Sequence, residues 1–81
     1  PLFIASQRGY LDIVELLIKN GVDINKSDNN GTTPLYIASQ KGYLDIVELL
    51  IKNGADISKS RDDGTTPLYI ASQQGYLDIV E

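Results

Sequence analysis

Between Leu44 and Asn53 the apolar residues Leu44, Ile46, Val47, Leu49, Leu50 and Ile51 leave only Asp45, Glu48 and Lys52 as a narrow polar stripe. This predicts a helix that is apolar around most of its perimeter, hence covered on more than one side, and closed by Gly54. Glu48 and Lys52 form an i,i+4 pair in the favourable orientation, worth about 0.2–0.5 kcal/mol on a solvent face. Upstream, Thr33 before Pro34 reads as an N-cap followed by a first helical residue, because proline gives up only a donor that would be orphaned there. The pattern predicts a short helix from Pro34 to Lys41, ended by Gly42 in the left-handed region. Two turns fall well below the roughly 12–15 residues at which an isolated helix becomes even marginal in water, so packing must hold it. From Ala55 to Thr66 small and polar residues dominate, and Asn29-Asn30-Gly31 and Asp62-Asp63-Gly64 carry turn chemistry. These segments are predicted as extended, hairpin-like loops anchored at their bases by Ile24 and Ile57.

The same pattern recurs. Pro1, Pro34 and Pro67 are spaced 33 residues apart, and residues 1–33 differ from 34–66 at seven positions, the other 26 being identical. PLYIASQKGYLDIVE, residues 34–48, returns at 67–81 with Lys41 replaced by Gln74. A fixed period between about 20 and 50 residues marks stacked supersecondary units, none of which buries its apolar face alone. The expected fold is therefore an all-α repeat solenoid of 33-residue helix-turn-helix units with projecting hairpin-like loops. It forms one array over 1–81, with copies at 1–33 and 34–66 and a truncated copy at 67–81.

Chemistry narrows the function classes. The 81-residue chain contains no Cys and no His, which removes disulfides, thiolate metal sites and the commonest general base and metal ligand. A net charge of -4, with seven dispersed Lys and Arg residues, argues against nucleic acid or an anionic membrane as partner. No apolar run approaches the roughly 20 residues a bilayer demands. Asp23 to Asp28 opens like a calcium loop, but Asp28 stands where glycine is needed and Pro34 where glutamate is needed. Asn25-Lys26-Ser27 and Asn30-Gly31-Thr32 fit a glycosylation sequon, yet the second copy has Ser58 and Asp63 at those asparagines. Asp62 and Asp63 lack an apolar pocket that would shift a pKa for acid-base work, and neither a P-loop nor a dinucleotide fingerprint is present. No enzyme activity, cofactor or metal is expected. With no Met ahead of Pro1, the N-terminus looks cut from something longer, so an address signal could have been lost with the missing part.

Thr33-Pro34-Leu35-Tyr36-Ile37-Ala38, its counterpart Thr66-Pro67-Leu68-Tyr69-Ile70-Ala71 and the shorter Leu2-Phe3-Ile4-Ala5 resemble the T-P-L-H-x-A signature of the ankyrin repeat. Gly42 to Leu50 and Gly54-Ala55-Asp56-Ile57 are similar to that family's second-helix and post-helix segments. The likeness covers essentially the whole chain. One departure is that Phe3, Tyr36 and Tyr69 replace the usual His, so the customary threonine-imidazole hydrogen bond is absent and the partner of the tyrosine hydroxyl is open. The resemblance implies side-by-side helix pairs with loops at about right angles to them. It also implies binding of other proteins through the loop tips and the inner, first-helix surface, without catalysis. An intracellular location fits both the family and the lack of Cys.

Positions at which the copies differ are positions that the fold does not dictate. Five of the seven differences lie at the end of the first helix or in the loop, whereas the run from Leu11 to Gly21 is unchanged from Leu44 to Gly54. The candidate protein-binding set is accordingly Asn29, Asn30, Thr32, Tyr36, Gln40, Lys41, Ser60, Arg61, Asp62, Asp63, Thr65, Tyr69, Gln73 and Gln74. Two blander readings compete with it: exposed loops drift without contacting anything, and Tyr36 and Tyr69 are packing residues whose phenols are merely satisfied. The rival function is a structural spacer or self-associating repeat array, with a designed or consensus-like sequence as a third reading. The array starts inside a first helix and its last second helix begins at Leu77, so a frayed C-terminal copy and two sticky ends, open to end-to-end stacking, are expected. Nothing in the residues names the partner.

Overall fold

A computed structural model describes residues 1–75 and shows five α-helices among them: α1 (Leu2–Arg8), α2 (Leu11–Lys19), α3 (Pro34–Lys41), α4 (Leu44–Lys52) and α5 (Pro67–Gln73). No strand occurs among the described residues. The predicted caps are in place. Thr33 Oγ1 accepts from the Tyr36 N–H at 3.1 Å and Thr66 Oγ1 from the Tyr69 N–H at 3.2 Å, each with proline at the first helical position. The outer helices close through asparagine: the side chains of Asn20 and Asn53 donate to the carbonyls of Leu16 and Leu49 at 2.7 and 2.8 Å.

The first helices form one row, α3 touching both α1 and α5, while α2 and α4 form a second row behind it. The core runs along the seam between the rows, from Leu2, Ala5 and Val14 through Leu35 and Ala38 to Ile46, Val47 and Leu50. The turn after α1 shows why glycine is needed there. Gly9 has φ 76°, a left-handed value that side chains disfavour, and a Cβ on it would lie 3.0 Å from the Tyr43 ring of the next copy.

The loops are hairpin-like in outline but carry no strand ladder. Each tip is a tight turn: the Gly31 N–H donates to the Asp28 carbonyl and the Asp28 N–H to the Thr32 carbonyl, at 3.1 and 3.0 Å. The second loop repeats this with Gly64, Arg61 and Thr65 at 2.9 and 2.8 Å. Neighbouring loops are bonded to one another. The Asp62 N–H donates to the Asn30 carbonyl at 3.0 Å, the Asp56 N–H to Asn25 Oδ1 at 2.8 Å, and Lys59 Nζ to the Asn25 carbonyl at 3.1 Å.

Two packing expectations need correction. Ile24 is half-buried against the core, as predicted, but Ile57, in the same sequence position, is 60% exposed. Likewise α4 buries Ile46, Val47 and Leu50 while Ile51 is exposed. Both residues line one groove with Leu68 of α5. The expected fraying of the C-terminal copy, from Leu77 onward, lies outside the described residues.

Candidate functional site

Of the fourteen candidate residues, Asn29, Asn30, Lys41, Ser60, Asp62, Asp63, Tyr69, Gln73 and Gln74 are exposed. Gln40, Arg61 and Thr65 are half-buried, and Thr32 and Tyr36 are buried. Most of the set therefore lies on accessible surface of the loops and first helices, while Tyr36, only 3% exposed, faces inward.

The hydroxyl of Tyr36 finds a partner across the joint between copies, 3.0 Å from Thr65 Oγ1. Since Thr65 Oγ1 itself donates to Asp63 Oδ1 at 2.6 Å, Tyr36 is the donor in that pair. The Arg61 guanidinium lies over the Tyr36 ring, 5.2 Å from its centre, a distance within the range of cation-π attraction. One of its nitrogens is 3.7 Å from Asp63 Oδ2. Tyr36, Thr65, Asp63 and Arg61 thus form a single cluster that ties the second loop to α3.

Phe3, Thr32, Asn30 and Asp28 occupy the same four places in the first copy, with a different arrangement. There the Asp28 carboxylate accepts from the N–H groups of Asn30 and Thr32, both at 2.9 Å. In the second loop Arg61 stands at that position and cannot accept, so Asp63 takes the equivalent Thr65 N–H at 3.0 Å. Both loops satisfy the same threonine N–H with a carboxylate, but from different positions. The electrostatics follow the geometry: the Thr32 N–H chiefly, with that of Asn30, holds the Asp28 carboxyl below its ordinary value. Asp63 is lowered first by the Thr65 hydroxyl and then by the Thr65 N–H, with a smaller contribution from Arg61. Asp56 is lowered by the hydroxyl and N–H of Ser58.

Three of the seven differences between copies, Phe3/Tyr36, Asp28/Arg61 and Asn30/Asp63, therefore belong to one exchange. A fourth, Asn25/Ser58, alters a bond between loops: Asn25 reaches forward to Asp56, whereas the Ser58 hydroxyl folds back onto Asp56 Oδ1 at 2.8 Å. Treating these positions as independent missed that coupling. The available signal was that three residues at fixed offsets all change together between the copies.

The middle copy also presents an open apolar groove of about 410 Å³, lined by Leu35, Val47, Ile51, Ile57 and Leu68. The buried Ser39 hydroxyl beside it has no partner, but neither does that of Ser6, its equally buried counterpart in the first copy. The orphaned hydroxyl belongs to this helix position and is no mark of a ligand. Among the described residues no helix is long and apolar enough to cross a membrane. The model of a family described as ankyrin repeats, in three copies, matches residues 2–81. A search of curated proteins finds no match to the chain.

Proposed function

Because the chain belongs to the ankyrin-repeat family, we propose that it is a non-catalytic protein-interaction module. It binds another protein through its loop tips and the inner face of its first helices. Supporting this reading is the rigidity of the accessible surface: Asn25 and Asn30 of one loop are hydrogen-bonded to Asp56, Lys59 and Asp62 of the next. A row of exposed polar groups held in register loses little conformational freedom when a partner lands on it. The groups best placed for contact are Asn29, Lys41, Asp62, Tyr69, Gln73 and Gln74, since Arg61 and Asp63 are engaged with each other and with the second loop. Neither nucleic acid nor a membrane is the partner in this reading, given the net charge of -4.

The test begins with affinity capture and continues with titration calorimetry on the recovered partner. Alanine at Lys41, Asp62 and Tyr69 together is expected to weaken binding at least about tenfold while leaving the unfolding free energy from urea titration within about 0.5 kcal/mol of the parent. Unchanged affinity in that variant would overturn the reading. A second reading, a spacer or self-associating array of consensus-like copies, is favoured by the 26 identical positions shared between the first two copies. A spacer would be indifferent to those three substitutions.

A further inference from the structure

Three Asn-Gly pairs occur in the chain: Asn20-Gly21, Asn30-Gly31 and Asn53-Gly54. Such a pair is open to attack by the glycine nitrogen on the asparagine side chain, because glycine leaves that nitrogen unshielded and the local backbone free to turn. All three asparagines are exposed, and all three glycine N–H groups are hydrogen-bonded, to the carbonyls of Ile18, Asp28 and Ile51 at 3.0, 3.1 and 3.1 Å. Two features separate Asn30 from the others. The side-chain amides of Asn20 and Asn53 are tied back to Leu16 and Leu49 at 2.7 and 2.8 Å, whereas that of Asn30 has no hydrogen bond among the described residues. The Asn30 carbonyl also accepts from the Asp62 N–H at 3.0 Å, while those of Asn20 and Asn53 accept from no N–H among the described residues. That bond favours the deprotonated form of the peptide joining Asn30 to Gly31, whose negative charge spreads onto the same oxygen.

We propose that Asn30 is a site of spontaneous deamidation, with water as the only co-reactant, and that its products uncouple the two loop tips. The Gly31 nitrogen attacks Asn30 Cγ, its proton passes by way of solvent to the side-chain amide nitrogen, and that nitrogen leaves as ammonia. Water then opens the cyclic imide at one of its two carbonyls, its hydroxyl going to the carbon and its proton to the imide nitrogen. Opening at the side-chain carbonyl gives an aspartate, the residue type that the second copy carries at this place as Asp63. There Asp63 accepts from the Thr65 N–H and hydroxyl, but in the first loop Asp28 already holds the Thr32 N–H at 2.9 Å. The new carboxylate therefore adds a like charge beside Asp28. Opening at the backbone carbonyl gives an isoaspartate, which lengthens the main chain by one methylene and takes the oxygen bonded by Asp62 out of the peptide. Either product is an irreversible change at the tip of the first loop, at the joint that holds neighbouring loops in register.

The experiment is incubation of the chain in heavy-oxygen water, then brief tryptic digestion in ordinary water and mass spectrometry, so that only amides lost during the incubation carry the label. The three pairs fall in separate peptides, Asn20–Lys26, Ser27–Lys41 and Asn53–Lys59, and fragmentation separates Asn30 from Asn29 and Asn20 from Asn25. The side-chain bonds of Asn20 and Asn53 must break before attack, so Asn30 should deamidate at least about fivefold faster than either. In urea, where all three amides are released, the rates should converge. A rate at Asn30 in the folded protein no higher than at the other two would overturn the inference. So would a lead of the same size in urea, which would place its cause in the sequence. Uncoupling is read from amide exchange at Asp62, which should quicken at least about threefold in the modified protein as its hydrogen bond is lost. In Asn30→Gln incubated alongside, Asp62 exchange should stay unchanged, because glutamine would have to close a larger ring. Equal exchange at Asp62 before and after modification would overturn the uncoupling. None of these readouts involves a binding partner, so the interaction-module reading stands or falls separately.

Discussion

The second helices α2 and α4 have the same nine residues, LDIVELLIK, yet different surroundings. Ile46 of α4 is 1% exposed, whereas Ile13, its equivalent in α2, is 47% exposed. Nothing local separates them, since the preceding turns are both Gly-Tyr and the following caps both Asn. The difference is that α4 packs against α2, whereas among the described residues no helix packs on the corresponding side of α2. Burial in this protein is decided by the neighbouring copy, so the same substitution should have different costs at the two sites.

The largest contrast is expected there. Ile46→Ala should destabilise the protein by about 2–5 kcal/mol, the usual cost of emptying a buried isoleucine site, while Ile13→Ala should change stability by less than about 1 kcal/mol. Urea denaturation of the two variants checks this, and equal losses would break the comparison. The loops offer the next. Gly31 and Gly64 both have left-handed φ, 78° and 86°, and alanine there carries a backbone penalty of about 1–2 kcal/mol. A Cβ on Gly31 would also lie 2.7 Å from Asp62 Oδ1 and 3.0 Å from its backbone nitrogen, whereas one on Gly64 meets nothing within 4 Å. Gly31→Ala should therefore lower the thermal midpoint more than Gly64→Ala.

A smaller effect should come from Tyr36→Phe, which gives the second copy the first copy's aromatic residue. It removes the hydrogen bond to Thr65 at 3.0 Å but leaves Thr65 Oγ1 bonded to Asp63, so a loss of about 0.5–1.5 kcal/mol is expected. Phe3→Tyr adds a hydroxyl opposite Thr32, where no Arg-Asp pair exists, and should yield no matching gain. The smallest effect is on pH dependence. The folded carboxyls of Asp28, Asp56 and Asp63 titrate below their ordinary 3.8, so their contribution to stability is complete above that value. It is lost as pH falls from 3.8 through the lower folded values. Denaturation midpoints should fall on that acid side, and less steeply in Asp28→Asn and Asp63→Asn variants.

How much of this could be read beforehand follows the same division between local and neighbouring causes. Thr33-Pro34 and Gly42 are local signals, and α3 begins and ends where they place it. The 33-residue period predicted the two rows of helices. Ile57 was misplaced because it holds the same place in its copy as Ile24, and burial at that place depends on residues distant in sequence. The partner of Tyr36 was illegible because Thr65 lies 29 residues away on the next loop, at a distance that no local pattern encodes. Within the candidate site, exposure of the loop tips could be read from turn chemistry at Asn29 and Asp62. The exchange of Asp28 and Asn30 for Arg61 and Asp63 was illegible, because it turns on which carboxylate the N–H groups of Thr32 and Thr65 reach.

Native-state hydrogen exchange on α2 and α4 tests the dependence on neighbours most directly, because equivalent amides in these helices share their sequence. The account predicts that the amides of Val47 and Leu50 exchange only through global unfolding, while those of Val14 and Leu17 open at a lower free energy. Equal protection in the two helices would contradict it.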